Sequence, residues 1–519
     1  MQATPNNLQV NKWIIALTVI LPTFIEVMDT SIVNVSLPHI QGSLNAGIDE
    51  STWVITSYLV SNAIIIPITG WLSTVFGRKR YLLFCIALFT FSSFLCGLAP
   101  NLEFLIIARI LQGFGGGGLQ PISQAILLET FPPKEHGIAM AVFGMGVVLA
   151  PTIGPVLGGW LTDQYSWRWI FYINIPAGIL AIILTSMFIY DPSYLKTKAS
   201  KYIDYIGLAL LTLGLGSLQV VLDKGEMEDW FNSNFILSLS IISALSLTIF
   251  ILWELYTDKP VVNLRVFKDK TFSLGNAIMF LGFFAFFGGI VLLPLYLQQL
   301  MGYTAFLAGL ILGPGGLSTL IVMPIVGLLM RKGIHPKYLL AVGIVILAYS
   351  LILMSDFNLS ADFISIAYPR IIQGIGLGLF FVPLAAVTYI NIPKQEMGNA
   401  SGIFNLIRNL GGSFGTAASM TVLSQRSQFH QHHLVEHITP FNPWFKQRLL
   451  TLNLWLEHQI SLLPYPKSMA IIYREILIQA KMLAFNDAFY LFGIMIFFLI
   501  PLALFMTSAK PKTEHISLE

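Results

Sequence analysis

The sequence predicts an all-α polytopic membrane protein of about fourteen spans, built as two related halves. Three observations carry this reading. The chain has 519 residues, 55% of them hydrophobic and 11% charged, whereas a soluble domain carries about 25% charged residues. Apolar runs of roughly 20 residues, long enough to cross a hydrocarbon core, recur along the whole length. A polar-glycine string in the first half also returns in the second: RILQGFGGGG begins at Arg109 and RIIQGIGLGL at Arg370, 261 residues later.

Windowed hydropathy places the spans at 13–36, 51–73, 79–99, 103–129, 137–162, 168–190, 204–222, 233–256, 272–299, 304–329, 338–355, 361–390, 399–423 and 485–507. Gly, Pro and charged residues mark the breaks. The first run, Trp13 to Ser36, contains Glu26 and Asp29. It is too long and too acidic for a cleavable signal peptide. Lys12, Arg78, Lys79, Arg80, Lys134, Lys196, Lys198, Lys201, Arg331, Lys332, Lys394, Lys510 and Lys512 fall on one side of the spans. The short loops opposite hold little but Lys224, with Arg168 at a span edge. Lys and Arg accumulate in cytoplasmic loops, so both termini are expected in the cytoplasm. The segment from about 424 to 484 then faces outward as a long loop. Within it, NLWLEHQISLL (Asn453 to Leu463) could form a helix with one apolar face. The net charge of +3 does not point to nucleic acid. Cys85 and Cys96 share one apolar run and read as packing residues.

The repeat defines the halves. At an offset of 261, Pro132 matches Pro393, Gly137 matches Gly398 and Gly154 matches Gly415; at 257, Pro67 and Gly70 match Pro324 and Gly327. Residues 1–190 thus form a first six-helix half. Residues 191–271 hold two inserted helices. Residues 272–519 form a second six-helix half with the outer loop at about 424–484. Halves of like orientation suit a transporter whose site lies where they meet.

Charged groups in hydrocarbon are costly and point to function or to a partner. In span 1, Glu26, Asp29 and Asn34 share a face about 140° wide. In span 4, Arg109, Gln112, Gln120 and Gln124 do the same. Asp29 and Arg109 lie at similar depth, about 10 Å from the outer boundary, and could share one cavity. Asp29 is the first candidate for proton exchange and Glu26 the second. Arg109 fits structural pairing and coupling equally well. Span 13 carries Asn405, Arg408 and Asn409, and Arg408 either binds substrate or braces the helix. Span 12 keeps Arg370 and Gln373 but has no counterpart of Gln124. The acidic chemistry is therefore concentrated in the first half. Trp53 and Tyr58 are aromatic candidates for the cavity wall. Gly154, Pro155, Gly158 and Gly159 crowd span 5 and mark a bend that also packs closely.

Two motifs are set aside. Gly113 to Gly118 matches G-x-G-x-x-G but lies inside an apolar run, not between a strand and a helix. His433-Leu-Val-Glu436-His437 matches H-x-x-E-H but has no domain around it, and it reads as a solvated loop. No cofactor, resident metal or enzymatic activity is expected.

The chain resembles the major facilitator superfamily, in particular its 14-span drug:proton antiporter branch of the EmrB/QacA type. DTSIVNVSLP (Asp29 to Pro38), RILQGFGGG (Arg109 to Gly117), GPVLGG (Gly154 to Gly159) and WRWIFYINIP (Trp167 to Pro176) carry the resemblance in that order. TWVITS at Thr52 and IVLLPLYLQQLMGYTA at Ile290 extend it to EmrB-type multidrug efflux pumps. The resemblance implies a major facilitator fold of two six-helix halves plus two inserted helices. It implies proton-driven export of hydrophobic drugs across a bacterial inner membrane, with a periplasmic adaptor protein and an outer-membrane channel as partners. Thr74 stands where the superfamily carries an acid, and Glu26 is an acid the branch does not require. A transporter of one specific metabolite is the alternative in the same class. A membrane metalloenzyme using the H-x-x-E-H string is the alternative from another.

Overall fold

The computed structural model describes residues 11–191, 204–458 and 464–506. Among them every regular element is helical. We number the long helices as follows: α1 Lys12–Leu44, α2 Trp53–Phe76, α3 Arg78–Leu98, α4 Leu102–Thr130, α5 His136–Gln164, α6 Trp169–Phe188, α7 Tyr205–Lys224, α8 Asn234–Tyr256, α9 Lys270–Leu295, α10 Ala305–Arg331, α11 Pro336–Met354, α12 Phe363–Thr388, α13 Met397–Glu436 and α14 Pro464–Phe497. Among the described residues thirteen helices are long and apolar enough to cross a membrane. Helix α13 is less apolar, yet it packs against α2, α9 and α14 within the bundle and completes the expected fourteen. Burying its polar residues against protein removes the need for an apolar surface.

Local chemistry explains the breaks. Helix α4 is interrupted at Gly117 and Gly118, between segments Leu102–Gly116 and Leu119–Thr130. Helix α5 contains Pro151 and Pro155. Pro155 has no N–H to give the Pro151 carbonyl, and Ser31 of α1 donates to that carbonyl at 3.5 Å. Helix α1 exceeds the expected 13–36, running on through Pro38 to Leu44.

The largest departure is the segment expected as an outer loop. Helix α13 continues to Glu436, about 60 Å in all, and α14 starts at Pro464. Between them lies a further helix, Pro443–His458, which packs on α14. The two spans therefore extend beyond a bilayer thickness as a helical hairpin. The helix expected at Asn453 to Leu463 begins ten residues earlier than read. Residues 459–463 lie outside the described residues, as do Lys196, Lys198, Lys201, Lys510 and Lys512.

The two ends of the bundle differ. At the end near Lys12, that lysine pairs with Glu135, Arg78 pairs with Glu129, and the Lys79 ammonium donates to the Ser186 carbonyl at 2.6 Å. We call this the terminal end and the other the hairpin end. At the terminal end the halves meet closely through α2 on α13, while α5 packs on α10 from Ile138 against Gly327 to Val156 against Gly309. A Cβ on Gly70 would lie 2.6 Å from the Asn399 backbone, so only glycine admits the approach. The inserted pair α7–α8 lies beside α2, with α7 also touching α13. It is tied to the first half where Thr56 bonds Asp223, and to the second where Asn263 N–H donates to Asn399 Oδ1 at 3.0 Å.

Candidate functional site

The intramembrane polar residues form two clusters, one closed within the first half and one reaching across to the second. In the closed cluster Asp29 is fully buried. Arg109 Nη1 donates to Asp29 Oδ2 at 2.6 Å. Gln112 Nε2 and Asn174 Nδ2 donate to Oδ1 at 2.9 and 2.7 Å. Arg109 Nε donates to the Val54 carbonyl at 3.1 Å, and its guanidinium lies 4.2 Å above the Tyr58 ring. Gln112 also donates to Ser93 Oγ at 2.7 Å. Helices α1, α2, α3, α4 and α6 are thus joined around one compensated ion pair. Both oxygens of the carboxylate are met, which is what a buried charge requires.

The bridging cluster surrounds Glu26, which is 3% exposed. Tyr58 OH and Asn62 Nδ2 donate to Glu26 Oε1, each at 3.1 Å. Gln120 Nε2 donates to Oε2 at 2.6 Å. The same Gln120 amide accepts from Arg408 of α13 in the other half. Beside it Asn405 Nδ2 donates to Gln124 Oε1 at 2.6 Å, and Ser401 Oγ donates to the Pro121 carbonyl at 2.9 Å. A Cβ on Gly116 would stand 2.7 Å from Tyr58 OH and 3.3 Å from Glu26 Cγ, so that glycine makes room for the cluster. Arg408 Nη1, Asn405 Oδ1 and Tyr389 OH are buried without a protein partner on the second-half side.

Most residues singled out in the sequence fall into these clusters. Asp29, Arg109 and Gln112 belong to the first; Glu26, Tyr58, Gln120, Gln124 and Arg408 belong to the second. Trp53 lies elsewhere, with the Lys224 ammonium 5.3 Å from its ring near the hairpin end. Asn34 is exposed, on the hairpin side of Asp29. Gly154 and Gly158 seat α5 on Ser31 and Ile32 of α1, Pro155 faces Gly309 of α10, and Gly159 borders open space. Three partners were not singled out from sequence. Asn62 falls one turn after Tyr58 on the same face of α2, a spacing that was available as a signal. Asn174 lies within the WRWIFYINIP string, which offered a signal, whereas Ser93 sits in an apolar run that offers none. In the hairpin, His430 and Arg426 both bond Asp487 at 2.6 Å. Among the described residues no group of His, Cys, Asp and Glu is arranged to hold a metal.

Residues 19–416 match the Major Facilitator Superfamily. The chain belongs to that superfamily. It is 42% identical over 431 residues to the multidrug export protein EmrB of Haemophilus influenzae, covering 83% of this chain and 84% of the relative. Its identity to Escherichia coli EmrB is 38% over the same shares. The fatty acid resistance protein FarB of Neisseria gonorrhoeae is also 38% identical, covering 82% and 84%. In fold it is similar to the human organic anion transporter MFSD10, with a TM-score of 0.61 at 14% identity, covering 94% of this chain and 100% of that one. A double-tryptophan mutant of XylE gives a TM-score of 0.60 at 14% identity, covering 96% and 97%. The chain is therefore a multi-pass membrane transporter of small molecules.

Proposed function

We propose that this transporter is a proton-coupled antiporter that exports hydrophobic and amphiphilic drugs from the cytoplasm of a bacterium. Its terminal end faces the cytoplasm, in line with the lysine and arginine bias. The names of its relatives join multidrug export with fatty acid resistance, which suits amphiphilic cargo. The open space beside Gly159 and the exposed Asn34 suit a cleft that faces outward, while Gly70 and Asn399 seal the opposite end.

The supporting observation is the surroundings of Glu26. Its three donors are neutral, so it can take or release a proton without breaking an ion pair. Protonating Asp29 would instead leave Arg109 as an uncompensated buried charge. The geometry thus favours Glu26 for exchange, with the Asp29–Arg109 pair holding the first half rigid. Gln120 supplies the coupling. The charge on Glu26 orients the Gln120 N–H₂ toward it, which turns Oε1 toward Arg408. A neutral Glu26 no longer fixes that orientation, and the tie between the halves slackens. A cationic drug can replace the proton at the same carboxylate.

Export beyond the inner membrane would use an adaptor and an outer-membrane channel. The helix Pro443–His458 exposes Trp444, Leu454 and Trp455 at the tip of the hairpin, and we assign adaptor docking to it. Shortening the hairpin should abolish co-purification with the adaptor, and retained co-purification with full resistance would place docking elsewhere. For coupling, the test is drug efflux driven by a pH gradient in proteoliposomes. Glu26→Gln should abolish coupled efflux in a folded protein, while Asp29→Asn should lower protein yield and thermal stability. Wild-type coupling in the Glu26→Gln vesicles would return the proton to Asp29.

A further inference from the structure

We propose that Arg370 and Gln373 form a second binding site, one that takes the carboxylate of an amphiphilic anion. This rests on the reading of the chain as an exporter of amphiphiles and names a class of its cargo.

The two halves repeat one side-chain arrangement. In α4, Arg109 Nη1 donates to Gln112 Oε1, one turn on. In α12, Arg370 Nη1 donates to Gln373 Oε1 at the same spacing. In the first half this locked pair presents one guanidinium N–H and one amide N–H to the two oxygens of Asp29. Helix α9, the counterpart of α1, contains no Asp or Glu. No carboxylate of the described residues forms an ion pair with Arg370. Arg370 Nε and Gln373 Nε2 are buried without a hydrogen-bond partner, although the two residues are only 8% and 1% exposed.

Such a pair is costly unless it meets an anion, because a buried guanidinium needs both charge compensation and acceptors. A planar carboxylate supplies both, as Asp29 does against the equivalent donors. Helix α10 packs directly against the guanidinium. Gly315 of α10 lies against the side chain, and a Cβ there would stand 3.1 Å from Arg370 Nε and 3.3 Å from Cζ. The α10–α5 contact brings the other half close by, since a Cβ on Gly316 would meet Thr152. The apolar residues of α10 suit an alkyl tail. Glu26 with neutral donors therefore suits cations, and Arg370 with Gln373 suits anions.

The test is equilibrium binding to the full-length protein in lipid nanodiscs, without a pH gradient. The probes are dodecanoate, dodecyltrimethylammonium, acetate and chloride. Arg370→Gln should weaken dodecanoate binding by about tenfold or more, well beyond any change for the ammonium probe. Gln373→Glu provides the second variant. It sets a carboxylate beside Arg370, so the protein should unfold no earlier than wild type and should lose dodecanoate by a similar factor. If Arg370→Gln does not fold, Gln373→Glu decides. Unchanged dodecanoate binding in a folded variant overturns the site. Competition by acetate or chloride at concentrations equal to dodecanoate overturns the amphiphile in favour of a small free anion. Loss of proton coupling would show in vesicles and leave this binding difference intact, so the two readings fail separately.

Discussion

The two halves share a fold and a repeat yet differ in the charges they bury. The first half buries Glu26 and Asp29 together with Arg78 and Arg109. The second buries Arg370 and Arg408, and among the described residues no carboxylate of that half is buried. The arginine and glutamine of the RILQ and RIIQ strings keep the same contact in both halves. What differs is the partner from the neighbouring helix: an aspartate of α1 in one case, no acid on α9 in the other. On the proposed reading, a duplicated scaffold keeps its helix packing while one half holds a proton or a cation and the other meets an anion. A chain of hydrogen bonds links the halves from Glu26 through Gln120 to Arg408.

The comparison can be broken most forcefully at the arginines. Arg109→Leu strands the Asp29 carboxylate and should cost about 3–5 kcal/mol of stability. Arg370→Leu strands no acid and should cost on the order of 1 kcal/mol or less. Thermal unfolding of both variants in the same detergent checks the ranking, and equal losses would show that the halves do not differ in this way. Adding Asp29→Asn to Arg109→Leu should recover much of the loss, since paired removal leaves no lone charge.

Glycines give a sharper and smaller contrast. Gly116→Ala drives a methyl group against Tyr58 OH and Glu26 Cγ. Transport should fall by at least about tenfold through misplacement of the carboxylate. Gly159→Ala meets nothing within 4 Å, and its effect on stability should stay within about 0.5 kcal/mol. Transport assays and unfolding curves of the two variants separate crowding at the site from a general effect of alanine in the helix.

The smallest effect is expected at a helix cap. Asn101 caps α4 by accepting from Phe104 N–H, and Asp362, its counterpart 261 residues on, caps α12 by accepting from Ser365 N–H at 3.0 Å. Hydrogen bonds from Ser365 hold the Asp362 carboxyl below its ordinary range. A depressed folded-state value means that the cap's extra stability is present above the ordinary carboxylate range and fades as pH falls through the folded value. Asp362→Asn should make the second half cap like the first and remove that acid-side slope. Unfolding midpoints measured from neutral to acid pH would show it, and an unchanged slope would assign the acid response to another group.

The all-helical class and the span order followed from the chain alone, and the division into halves is read from the internal repeat. They rest on apolar length and on strings such as RILQ and RIIQ, and those properties are local. The shared faces of Glu26 with Asp29, and of Arg109 with Gln112, Gln120 and Gln124, were legible because helical periodicity is local too. The continuous helical hairpin within the outer segment was not legible, since helix length beyond the membrane carries no hydropathy signal. Which acid meets which donor was decided by tertiary packing. Asp29 and Glu26 lie three residues apart on one helix, yet one is locked by Arg109 and Asn174 while the other meets neutral groups and a glutamine tied to Arg408. The DTSIVNVSLP string marks Asp29 and not Glu26, but no sequence pattern tells which donors each acid meets, because those side chains lie 32 to 145 residues away and only the folded bundle brings them within hydrogen-bond distance.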